Sequence, residues 1–197
     1  VTDPRYLSVT ARHIFIKMPD DKYETRVNDH RVGYFVNNST DLTSYENFPN
    51  FALINKWRLI KKDPDAEISE PVEPIVFWVE NTTPEEIVPA VIAGIENWNI
   101  AFKEAGFKNA IVAKIQPEDA DWDAADYEYN VIRWSSEPDG GLLGIGPRVT
   151  NPLTGEIISA DVVNKLLAVK VGRNYRKLCG YTEDNDPLMQ YITNLTL

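Results

Sequence analysis

The chain has 197 residues, 43% of them hydrophobic and 25% charged, with a formal net charge of −10. A chain of this length buries roughly 70% of its unfolded surface, so it needs neither disulfide nor metal merely to fold, and its composition is that of an ordered globular protein. The acidic balance argues against nucleic acid and against an anionic membrane surface as partners, because both require clustered Lys and Arg.

Residues 1–73 read as β-rich. Leu7, Val9, Ala11, His13 and Phe15 alternate with Ser8, Thr10, Arg12 and Ile14, which is the period of a strand. Residues 31–36 and 51–60 are two further strand candidates, the second with Phe51, Leu53, Trp57 and Leu59 on one face. Polar, turn-prone stretches at 19–22, 37–43 and 46–50 separate them. A charged connector, 61–74, is punctuated by Pro64, Pro71 and Pro74 and divides the chain into two expected units, 1–73 and 74–197.

Beyond the connector the pattern is mixed, which makes the fold class α+β. Ile75–Val79 is an unbroken apolar run, the signature of a strand buried on both faces. Thr83-Pro84-Glu85-Glu86 has the form of a capping box with proline at the first helical position. The helix it opens carries Ile87, Val91, Ile95, Trp98, Phe102 and Ala105 at spacings of three and four, Gly106 closes it, and Pro89 works against an early start. Residues 110–115 and 130–134 read as short strands on either side of an acidic loop. A glycine-rich segment, 139–147, leads to the turn Asn151-Pro152-Leu153-Thr154-Gly155 and a strand at 156–163. Residues 163–180 are basic and read as a loop packed on acidic surface. Asp186 and Pro187 then open a helix with Leu188, Ile192 and Leu195 on one face. That helix reaches Leu197 without a stop signal and the chain begins at Val1 without a leader-like segment, so a piece of a longer protein is expected.

Candidate chemistry is sparse. Cys179 stands alone, which excludes an intramolecular disulfide and a thiolate zinc cluster. No apolar run approaches the ~18 residues of a membrane-spanning helix, so membrane insertion is not expected. His13 and His30 are the only histidines, are read as structural or surface residues, and do not form the His-Glu-x-x-His pattern that holds zinc and activates water. Asp119, Asp121 and Asp123 match the first positions of a calcium loop, but Ala124 and Asn130 stand where glycine and a bidentate Glu belong. The loop 118–128 is therefore read as a solvated acidic loop pinned by Trp122 and Tyr127, with calcium binding left open. Gly140, Gly141, Gly144 and Gly146 lack the Lys-Ser/Thr of a phosphate loop and read as a turning loop over a cleft.

An ordered set of short motifs carries a resemblance. It comprises Pro74-Ile75-Val76-Phe77-Trp78-Val79, Gly94-Ile95-Glu96-Asn97-Trp98-Asn99, Val131-Ile132-Arg133-Trp134, Gly146-Pro147-Arg148-Val149 and Gly155-Glu156-Ile157 with Ala160-Asp161. Together with Arg31-Val32-Gly33-Tyr34-Phe35 and Asn55-Lys56-Trp57-Arg58-Leu59 upstream, it resembles a family of large bacterial zinc-dependent metallopeptidases with a metzincin-like catalytic domain. The resemblance implies a β-rich upstream region followed by the first half of a mixed sheet with one long helix, stopping before the zinc-binding helix. It implies peptide-bond hydrolysis by zinc-activated water in the parent protein, with no catalytic residue, no metal ligand and no bound zinc in this chain. It also implies a peptide or protein substrate, a secreted, periplasmic or cell-surface bacterial location, and the remaining half of the catalytic domain as packing partner. By the same resemblance the strand at 156–163 edges the substrate cleft, with Ile158, Ser159, Ala160 and Asp161 nearest the substrate. The alternative is a non-catalytic binding or assembly module on the same scaffold.

Overall fold

The computed structural model describes residues 10–19, 23–45, 50–136 and 143–180, together with Gln190, Ile192 and Thr193. In chain order its elements are β1 (Val36–Thr40), β2 (Asn50–Ile54), β3 (Ile75–Val79), α1 (Val88–Glu104), β4 (Ile111–Ile115), β5 (Asn130–Ser135), β6 (Gly144–Ile145), β7 (Arg148–Thr150), β8 (Ile157–Ala160), β9 (Val162–Lys165) and α2 (Leu166–Leu178). The fold is α+β. A five-stranded mixed sheet has the order β4-β3-β5-β9-β6, in which only β6, at one edge, runs antiparallel to its neighbour.

Strand alternation divides the sheet into two faces. Ile75 and Val79 of β3 pack with Ile87, Ala90, Val91 and Ile95 of the α1 region, and Val169 of α2 and Ile192 complete the same core. On the opposite face Trp78 meets the edges of Trp122 and Tyr129 at 5.4 and 6.2 Å, while those two rings stack at 3.9 Å. Tyr129, rather than the expected Tyr127, thus joins Trp122 in holding the acidic loop.

The helix α1 begins later than the capping-box pattern suggests. Residues 84–87 form a turn in which the Ile87 amide donates to Pro84 O at 3.0 Å, and the Thr83 hydroxyl is buried without a partner. Pro89 lacks an amide proton and is tolerated only in a first turn, which puts the start at Val88. The other end follows expectation. Gly106 has φ +85°, its amide donates to Lys103 O at 3.0 Å, and the Phe107 amide donates to Phe102 O at 2.8 Å, the paired bonds of a Schellman cap.

Several other elements differ from the sequence reading. The first strand of the upstream region is Val36–Thr40, not 31–36, and it occupies a stretch expected to be a turn. Its side chains are mostly polar because they pair with other polar groups. Asn37 Nδ2 donates to Thr150 Oγ1 at 2.9 Å and the Thr40 hydroxyl donates to Asn50 Oδ1 at 2.7 Å, so hydrophobic alternation is silent there. The expected strand at 51–60 ends at Ile54, although Trp57 and Leu59 still pack on the core. Residues 10–15 form no regular element; positions 7–9 lie outside the described residues. The basic segment 163–180 is not a loop: it finishes β9 and then forms α2, whose run of Leu, Ala, Lys and Arg favours helix and places Arg176 and Lys177 in the last turn. Of the helix expected from Asp186, only Gln190, Ile192 and Thr193 are described; they are helical, and Ile192 is fully buried.

The upstream section is joined to the rest through the hairpin β7–β8. Gly155 closes the hairpin turn with φ +76°, its amide donating to Asn151 O at 2.8 Å. Lys56 donates its amide to Gly155 O at 3.1 Å and accepts from the Ile157 amide at 2.9 Å. Beside this bridge Arg58 grips the buried Glu156 with two bonds, Nε to Oε1 at 2.5 Å and Nη2 to Oε2 at 2.9 Å. Tyr23, whose ring sits under both Lys56 and Arg58, has its phenol pushed up to about 12 by burial first and by the Glu156 charge second, with Arg58 opposing.

A Cβ at Gly155 would lie 2.4 Å from Ile54 O, whereas one at Gly180, also left-handed at φ +74°, would meet nothing within 4 Å. Gly155→Ala is therefore expected to cost more than about 2 kcal/mol and Gly180→Ala roughly 1 kcal/mol, measured by denaturant unfolding. Equal losses would contradict the tight docking of the hairpin on β2.

Candidate substrate cleft

The run 156–163 is divided at Asp161. Its first part is β8, paired with β7 in a separate hairpin, and its second part is β9, an interior strand between β5 and β6. The edge of the five-stranded sheet on this side is β6. Two side chains hold the division in place. Asn130 donates through Nδ2 to Val76 O at 2.8 Å and accepts the Ala160 amide on Oδ1 at 2.9 Å. Asp161 accepts the amide of fully buried Val131 on Oδ1 at 2.9 Å, while its own amide donates to Pro147 O at 2.9 Å.

The four residues singled out by the resemblance are therefore not equivalent. Ile158 is half-buried in β8 and Ser159 is buried there. Ala160 and Asp161, both half-buried, line an open cavity of about 430 Å³ between the sheet and α1. Trp57, Phe77, Trp98 and Phe102 supply its aromatic walls, with Trp57 edge-on to Phe77 at 6.4 Å. Gly146 and Arg148 complete the side nearest β6. Arg148 donates through Nε to Asn55 Oδ1 at 3.0 Å, and its guanidinium lies 4.1 Å above the Phe35 ring. Burial raises the Asp161 carboxyl above its ordinary range, with the Val131 amide and the Arg133 charge pulling the other way.

Sequence reasoning assigned Trp98 and Phe102 to the core through their helical spacing and did not separate lining from filling. Arg148 entered only as part of a motif. Asn130 entered as the first residue of the expected strand 130–134 and as a failed calcium ligand, and no local signal marks its bridging role.

His13 and His30 are both exposed, and no group of three or more His, Cys, Asp or Glu side chains converges among the described residues. In the acidic loop, Asp123 accepts the Ala125 amide at 2.8 Å, and Asp126 accepts the Asp123 amide at 3.1 Å and pairs with Arg12 at 3.2 Å. Asp119 and Asp121 are exposed.

Replacing Asp161 separates its charge from its acceptor role. Its raised pKa means that stability is lost as pH rises through that pKa, when the half-buried group must ionise. Asp161→Asn keeps an acceptor for Val131 and is expected to be neutral or stabilising at pH 7. Asp161→Ala strands a buried amide and is expected to cost roughly 1–3 kcal/mol. Equal effects of the two changes in thermal unfolding would contradict this assignment.

Residues 2–62, well under half of the chain, match a family described as a domain of unknown function (DUF5117). No curated protein and no solved structure matches the chain.

Proposed function

We propose that the chain is the front part of a zinc-dependent metallopeptidase, an upstream β-rich region at 1–73 followed by the portion of a metzincin-like catalytic domain that precedes the metal-binding helix. The parent protein hydrolyses peptide bonds with zinc-activated water. This chain supplies scaffold and one side of the substrate cleft, and is itself inactive, since it contains no His-Glu-x-x-His. Supporting the reading are the ordered motifs and a mixed sheet carrying one long helix.

The observation that carries it is the outer edge of β6. Lys165 donates its amide to Leu143 O at 2.9 Å, and Asp161 donates to Pro147 O at 2.9 Å. Because antiparallel ladders alternate, the intervening Gly144 and Gly146 turn their N–H and C=O groups away from the sheet. No strand pairs with that outer edge among the described residues. An extended peptide would add there as a further strand, main chain to main chain, above the aromatic cavity. The remainder of the catalytic domain would pack against the exposed stripe Val171, Tyr175 and Leu178 on α2.

A non-catalytic binding or assembly module on the same scaffold is the second reading. It keeps the β6 edge as a binding surface and discards the chemistry.

With a tryptic digest of casein as the peptide pool, amide hydrogen exchange at Gly144 and Gly146 is expected to slow about tenfold or more, while exchange in β4 at the opposite edge stays unchanged. Protection confined to β4, or none at saturating peptide, would remove the β6 edge from the proposal.

A further inference from the structure

The helix α2 carries four cations and no carboxylate in a chain whose net charge is −10. Of its residues only Ala168 and Val169 are buried, so most of its surface lies outside the core. Val171, Tyr175 and Leu178, spaced four and three apart, make an apolar stripe along that surface, and Tyr175 and Leu178 are 68% and 85% exposed. Lys170 and Lys177 follow one flank of the stripe, are exposed, and form no ion pair among the described residues. The opposite charge stands beyond β4, at the far edge of the sheet from β6. There the exposed Ile115 ends the strand, and Glu118, Asp119 and Asp121 follow it, all exposed and outside any described ion pair. The stack of Trp122 on Tyr129, edge-on to Trp78, anchors this acidic loop to the sheet.

We propose that α2 of one copy of this chain docks on the acidic loop of a second copy, with Val171, Tyr175 and Leu178 covering Ile115 and with Lys170 and Lys177 meeting Glu118, Asp119 and Asp121. Charge complementarity chooses this partner. Two α2 helices would bring like charges together, and an anionic membrane would be repelled by the rest of the molecule. An exposed apolar residue bordered by carboxylates answers both parts of the helix. Exposed ion pairs contribute little each, so the apolar stripe supplies the stability and the charges select the partner. The contact joins two different surfaces, so each copy keeps one of each uncovered and chains of copies lengthen with concentration. The pairing does not rest on the peptidase reading; a remaining half-domain seated on the stripe would compete with it.

The test is sedimentation velocity of the unaltered chain, up to ~1 mM, in about 20 mM and about 500 mM sodium chloride. The expected result is a mass that grows past a dimer with concentration at low salt, and an association weaker by about tenfold or more at high salt. Asp119→Lys combined with Asp121→Lys is expected to return the chain to a monomer, and so is Lys170→Glu combined with Lys177→Glu. An equal mixture of the two double variants is expected to associate again, because each reversed surface then meets its opposite. A monomer at both salt concentrations would end the proposal, as would association indifferent to salt and to both reversals. Binding to phosphatidylserine vesicles without self-association would overturn it in favour of a membrane surface. The salt series on the unaltered chain decides between these outcomes whether or not either variant folds.

Discussion

Between β8 and β9 the chain passes from one sheet to another within a single residue, and everything on the cleft side of the molecule depends on how that corner is held. Asp161 takes the amide at the start of β5, and Asn130 ties β3 to the end of β8. With the corner fixed, the hairpin β7–β8 turns toward the upstream section, and β9 continues beside β5 and holds β6 at the edge. The aromatic cavity opens under the same corner. Loss of either side chain would leave buried backbone groups unpaired, the costliest kind of loss in an interior of low dielectric.

The far end of the hairpin is fixed by charge and close approach rather than by a large apolar interface. Arg58 and Glu156 form a two-pronged pair that is nearly enclosed, and the backbone of Gly155 presses on that of Ile54. A buried ion pair adds little net stability, because desolvation offsets most of its attraction. What it supplies is orientation: two bonds between planar groups allow few alternative geometries. The polar contacts Asn55–Asn37 and Asn37–Thr150 extend the same junction. The upstream section is thereby set beside the cavity, to which it contributes Trp57 and Phe35.

Elements whose stability comes from local apolar pattern were legible in the sequence. The run Ile75–Val79, the strand Ile111–Ile115 and the C-terminal cap at Gly106 all follow from hydrophobicity or from the unique freedom of glycine. Elements that depend on distant polar partners were not. Val36–Thr40 is a strand because Asn50–Ile54 and the hairpin accept it, and neither partner is visible in its own residues. The division at Asp161 was hidden for the same reason: 156–163 has the apolar pattern of one strand, and the break is imposed by Asn130 and Val131, thirty positions earlier. The helix α2 was missed because its charges suggested a loop, although Lys170, Arg173 and Lys177 simply occupy exposed positions of it and Arg176 is half-buried. Of the site, Ala160 and Asp161 were reachable from the motif, while the aromatic walls emerged only from tertiary packing.

The central claim is that this fold is the leading part of a zinc peptidase domain, and the coding sequence downstream of Leu197 tests it most directly. The account predicts a His-Glu-x-x-His pattern within about fifteen codons, placed on the helix to which Ile192 belongs. A stop codon, or an open frame without paired histidines, would contradict it and leave the binding-module reading.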